Sequence, residues 1–187
     1  MEENSNKKGV SRRSFLGTTA AVAAGITIVP RHAVAGLGHV APSDKLNIAA
    51  VGIGGMGNSN LRNLASQNIV GLCDVDWGYS KKVFDTYPNA KRYKDWRKMY
   101  DEMGKDIDAV VVATADHAHA IIAAHAITMG KHVYVQKPLT HTVYESRLLT
   151  KLAKKYNVAT QMGNQGSSGE GVNLTTEWIA NGEIASS

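Results

Sequence analysis

Three glycines, an acid and a lysine are the residues whose types and spacing point most directly to chemistry. Gly52, Gly54 and Gly57 stand as G-x-G-x-x-G at the end of the apolar run Leu46–Val51, with Gly55 and Met56 inside the motif. Each glycine has a physical job. Gly52 makes the tight turn out of a strand, Gly54 lets a pyrophosphate approach the backbone, and Gly57 lets the following helix pack close to the sheet. Phosphates then rest on the free N–H groups and positive dipole end of that helix. Asp74 closes a second apolar run 22 residues after Gly52, near the ~20-residue spacing at which an acid accepts the ribose hydroxyls of a dinucleotide. A carboxylate there repels a 2′-phosphate, so the expected cofactor is NAD in preference to NADP. Asp76 is the rival for this role.

Polar residues gather after the later apolar runs: Thr114-Ala115-Asp116-His117, Gln136-Lys137-Pro138 and Asn164-Gln165. Lys137 is the candidate catalytic residue, able to orient a substrate hydroxyl or share in proton transfer, and Pro138 stiffens the turn that presents it. The plainer alternative is a lysine whose tail only packs at the surface. Asp116, His117 and His119 hold the residue types of a metal site. Two histidines two apart, opening a helix where polar caps are expected, read instead as a loop lining the cofactor pocket, and no metal is expected. His125 and His132 read as structural. Cys73, the only cysteine, reads as a small core residue and allows no intramolecular disulfide.

These residues need a scaffold, and strand-like and helix-like segments alternate to supply one. Leu46–Val51, Ile69–Cys73, Asp108–Thr114, His132–Val135 and Val158–Met162 read as strands, with a short extended piece near Ala90–Tyr93. Between them fall helices over Gly57–Ser66, Trp77–Tyr87, Asp95–Met103, His117–Met129 and Val143–Tyr156. Short β-α repeats predict an α/β fold, a doubly wound parallel sheet, whose ligands bind at the carboxyl ends of the strands. The expected domain spans 44–164. From 165 to 187 a glycine-rich loop, a helix over Val172–Ala180 and the beginning of a strand read as the start of a second domain cut short.

The first 43 residues read as an address. Ser11-Arg12-Arg13-Ser14-Phe15-Leu16 is a twin-arginine pattern, followed by an apolar stretch to Val29 and the small-residue cleavage site Ala33-Val34-Ala35. The expectation is a signal over 1–35, a linker over 36–43, and a periplasmic or secreted destination. Fifteen apolar residues are short for a membrane span, so no stable span is expected after cleavage. The full chain carries +5, but residues 1–35 hold five of its 21 basic and two of its 16 acidic residues. The remaining excess of two does not argue for nucleic acid.

Together, Gly52–Gly57, Asp74, Thr114-Ala115-Asp116-His117 and Gln136-Lys137-Pro138-Leu139 resemble the glucose-fructose oxidoreductase / inositol dehydrogenase (Gfo/Idh/MocA) family over about Lys45 to Glu183. The resemblance implies a Rossmann NAD-binding domain followed by a C-terminal α/β domain built on an antiparallel sheet. It places Lys137 near the substrate hydroxyl and Thr114, His117, Pro138 and Asn164 around the nicotinamide. It also implies a carbohydrate substrate, a sugar or cyclitol, and a homo-oligomer formed through the C-terminal domain. The chain departs from the family at Gln136, where Glu-Lys-Pro is usual.

Export adds a constraint, because free NAD is expected to be scarce outside the cytoplasm. An oxidoreductase on a retained nucleotide meets it. So does a glycosidase that oxidises its substrate transiently and then returns the hydride. A protein that binds a nucleotide without turnover is the third reading.

Overall fold

The structure is a computed structural model and describes residues 44–183. The signal and linker expected over 1–43, and all but the first residue of the strand expected at the end, lie outside the described residues.

Six strands form one parallel sheet: β1 (Asn47–Val51), β2 (Asn68–Cys73), β3 (Lys91–Tyr93), β4 (Ala109–Val112), β5 (His132–Gln136) and β6 (Thr160–Gly163). Their order is β3-β2-β1-β4-β5-β6. The direction of winding reverses between β1 and β4, so a crevice opens beyond their carboxyl ends, where ligands of such sheets bind. The expected doubly wound Rossmann sheet is present.

Among the described residues, five helices cover it, α1 (Gly55–Asn63), α2 (Lys81–Thr86), α3 (Trp96–Met103), α4 (His119–Thr128) and α5 (Val143–Tyr156), and a sixth, α6 (Glu170–Ala180), follows β6. Alternation along β1 sorts the core into two halves. Ala49 and Val51 join Met99, Tyr100, Ile122 and Leu149 from α3, α4 and α5. Ile48 and Ala50 face Leu61, Val83 and Phe84 from α1 and α2. Period-2 alternation of apolar residues on both faces is what a sheet covered on both sides requires.

Local signals set most helix ends. Asp95 Oδ1 accepts the Arg97 amide at 2.9 Å and starts α3. Thr142 and Glu145 form a reciprocal capping box at α5, which therefore begins at Val143 as expected. Gly130 takes a positive φ of 74° beyond α4. Helix α1 spans Gly55–Asn63 where Gly57–Ser66 was expected, α6 begins at Glu170 and not Val172, and two further boundaries differ for a local reason. Helix α2 begins at Lys81, not Trp77, because Asp76 Oδ1 accepts the Tyr79 amide at 2.9 Å and holds the preceding residues in a turn. The helix expected from His117 opens with a 3-10 turn over Asp116–Ala118, and α4 proper begins at His119.

Helix α6 buries none of its residues. Val172, Leu174, Trp178 and Ile179 are all exposed. Among the described residues, no helix is long and apolar enough to cross a membrane.

Candidate nucleotide site

The strand ends open on one cleft of about 710 Å³, lined along its length by the glycine turn, Asp74, Thr114, His117 and Lys137. The glycines sit where their lack of a side chain counts. Gly52 has φ +76°, and a Cβ there would stand 2.6 Å from the Ala113 carbonyl oxygen. A Cβ on Gly57 would run into the Gly52 carbonyl, so only glycine brings α1 this close to β1. The first turn of α1 carries amides with no intrahelical acceptor and no side-chain cap. Gly54, Gly55 and Met56, at this helix start, line the cleft.

Asp74 lies at the end of β2 and is tied into this turn. Its Oδ2 accepts the amides of Ile53 at 2.9 Å and Gly54 at 3.3 Å, and the Ser80 hydroxyl at 2.6 Å. Its Oδ1 accepts the Asp76 amide at 3.0 Å. A carboxylate oxygen takes about two hydrogen bonds in its lone-pair directions, so Oδ1 keeps capacity for a ribose hydroxyl. Asp76 Oδ1 is engaged by the Tyr79 amide, and Asp74, unlike Asp76, lines the cleft.

Several cleft residues had no signal strong enough to single them out. Tyr79, exposed by 70%, lays its ring across Gly54, in the space a Cβ would fill. Lys94 and Trp96 line the cleft from the β3 side. Trp96 also packs inward, meeting Tyr100 and His125 in T-shaped contacts with ring centroids 5.4 Å from each. That contact also gives His125 its structural place. The His132 Nδ1 accepts the Ala159 amide at 2.9 Å, a structural role too.

On the other side, Thr114 and His117 follow β4, and Lys137 follows β5 with an exposed side chain and a cis bond to Pro138. Gly57, Pro138 and Asn164 are not part of the cleft lining. Gly57 lies buried against Gly52, Pro138 turns its carbonyl toward His119, and exposed Asn164 donates to the Ser167 hydroxyl at 2.8 Å. Gln136 is buried, and its Oε1 accepts the Gln165 amide at 3.2 Å. An uncharged partner therefore stands where a charged one would face an amide.

Cys73 forms part of the cleft floor and is 2% exposed. Burial, with the Asp74 and Asp95 carboxylates, pushes its thiol up to about 12, so it is no nucleophile at neutral pH. Among the described residues, no cluster of three or more His, Cys, Asp or Glu is disposed to hold a metal ion.

The residues present fit NAD. Glycine turn and helix amides suit a diphosphate, Asp74 suits an adenosine ribose without a 2′-phosphate, and only an exposed ring that can turn aside stands over Gly54. Nicotinamide would then lie toward Thr114, His117 and Lys137.

The sequence profile described as "Oxidoreductase family, NAD-binding Rossmann fold" (GFO/IDH/MocA) matches residues 46–164. The chain is 30% identical over 115 residues to inositol 2-dehydrogenase of Salmonella typhimurium, covering 59% of this chain and 34% of that enzyme. It is 28% identical over 174 residues to a glycosyl hydrolase family 109 protein of Shewanella pealeana, covering 78% and 37%. It superposes with a TM-score of 0.64 and 20% identity on scyllo-inositol dehydrogenase of Lactobacillus casei solved with NAD(H) and scyllo-inositol, covering 75% and 42%. The chain thus spans about a third of the length of the curated inositol dehydrogenases it matches.

Proposed function

We propose a carbohydrate oxidoreductase, because this chain belongs to the GFO/IDH/MocA oxidoreductase family through its NAD-binding Rossmann domain. The observation that carries the reading is convergence. The glycine turn, Asp74 and Lys137 come from three different strand ends and line one cleft. A bound NAD supplies a hydride acceptor at its nicotinamide; the chain's residues hold it and orient the substrate. Lys137 meets the substrate hydroxyl and holds or moves its proton. Substrates of the relatives point to a sugar or cyclitol.

In this proposal residues 1–35 direct export by the twin-arginine route, which carries folded proteins, so the nucleotide is loaded before transport and retained. A second domain beyond the Rossmann unit completes the substrate pocket, since such pockets form at domain interfaces, and mediates homo-oligomer formation. The similarity to a family 109 glycosyl hydrolase supports a second reading, glycoside cleavage by transient oxidation and return of the hydride. Both readings use the same NAD cleft.

The test is to purify the whole protein, release and identify its nucleotide, and analyse products on a panel of sugars, cyclitols and glycosides. Net oxidation or sugar-to-sugar exchange supports the oxidoreductase. Release of an aglycone without net redox supports the glycosidase. A tightly held nucleotide with neither activity overturns both in favour of a binding protein.

A further inference from the structure

His119 opens α4 and is 1% exposed. Its ring stands between two backbone carbonyls. Nδ1 lies 2.7 Å from the Pro138 oxygen and Nε2 lies 3.0 Å from the Thr114 oxygen. Thr114 follows β4, and Pro138 follows Lys137 at the end of β5. One buried side chain therefore bridges the two turns that carry Thr114 and Lys137 into the cleft.

Carbonyl oxygens only accept hydrogen bonds. A neutral imidazole has one N–H, so whichever tautomer it takes, its second nitrogen presents a lone pair to an oxygen. The nitrogen that carries hydrogen donates to its carbonyl, and the buried ring stands against the other carbonyl at the same time. Neither nitrogen faces a carboxylate at hydrogen-bond distance; its two partners are neutral carbonyls. The charged groups on the bridged segments are Asp116, with its neighbour His117, and Lys137, and none of them bonds to the ring.

We propose that His119 is a positioning residue whose buried ring, hydrogen-bonded to one turn and seated against the other, sets the separation of the Thr114 turn from the Lys137–Pro138 turn. This rests on reading the cleft as an NAD site, because those turns then flank the nicotinamide. Lys137 needs an accurate place to orient a substrate, and a displacement of 1 Å in such a group can cost on the order of 10²-fold in rate. His119 acts through its neighbours and does not touch substrate. Its effect belongs to kcat more than to nucleotide affinity.

The experiment uses the whole protein and measures steady-state rates and NAD affinity for variants at His119. His119→Phe keeps ring bulk but donates nothing, and is expected to lower kcat roughly tenfold or more with KM for sugar and affinity for NAD changed far less. His119→Gln, whose amide nitrogen replaces only one ring nitrogen, should fall between, and it serves where the Phe variant does not fold. A His119→Phe or His119→Gln variant with unchanged kcat overturns the positioning role. A wild-type protein that binds no NAD overturns the nucleotide reading, and the role beside nicotinamide with it.

Discussion

The Asp74 carboxylate accepts the Ile53 amide at 2.9 Å, so the acid that ends β2 is bonded directly to the glycine turn that ends β1. The same oxygen accepts the Ser80 hydroxyl and thereby draws in the turn before α2. Asp74 organises the glycine turn as well as lining the cleft, and a change at this one residue should act on both.

Asp74→Ala should weaken NAD more than NADP, by about 1–3 kcal/mol for the loss of a hydrogen bond to a charged group. It should also lower stability, since four donors lose their acceptor. Ser80→Ala removes one donor and keeps the carboxylate, so its effect on NAD should be smaller. Calorimetric titration with both nucleotides checks this. Equal or tighter binding of NADP by the unmodified protein would contradict the assignment.

Lys137→Ala in the whole enzyme should lower turnover by ~10²–10⁴-fold, the usual worth of general acid–base participation. NAD affinity should stay nearly unchanged, because the lysine is exposed and bonded to nothing in the glycine turn. Steady-state rates alongside nucleotide titration separate the two. Near-normal turnover would make the lysine a surface residue.

Gln136→Glu restores the acid usual in the family but places it at a buried position, bonded to the exposed Gln165. Gln165 can still donate to the new carboxylate, as it now donates to Gln136 Oε1 and the Tyr134 hydroxyl. The weak return contact from Gln136 Nε2 to Gln165 Oε1 at 3.5 Å becomes oxygen against oxygen. Burial of the charge adds to this, and a loss of about 1–3 kcal/mol is expected. An unchanged urea midpoint would show that the pair adapts at no cost.

Alkaline pH should destabilise the fold. Burial first, then the Asp74 and Asp95 carboxylates, raises the Cys73 thiol from 9.0 to about 12. Burial and a hydrogen bond to Glu102 raise Tyr93 from 10.0 to about 12. The folded protein keeps protons that the unfolded chain releases, so this stability is complete below about pH 9 and is lost as pH rises toward 12. Thermal midpoints taken from pH 8 to 11 should fall, and Cys73→Ala should delay the onset toward pH 10. A midpoint that climbs over that range would refute the sign.

Local patterns determined much of this. Glycine spacing marked the turn because only glycine accepts the φ of Gly52 and the closeness of Gly57 to the Gly52 carbonyl. The apolar run within Asp108–Thr114 marked a strand, and the start of α5 is set by the cap of Thr142 with Glu145, a contact between near neighbours. What only tertiary structure decided are contacts between residues far apart in the chain. No periodicity indicates that the Tyr79 ring covers Gly54, that Gln165 pairs with Gln136 across two strand ends, or that Asp74 is bonded to Ile53. His119 shows the limit most plainly. In the sequence it was one of two histidines near an acid; folding turned its ring away from a ligand set and between the carbonyls of Thr114 and Pro138, because the parallel sheet brings the ends of β4 and β5 side by side.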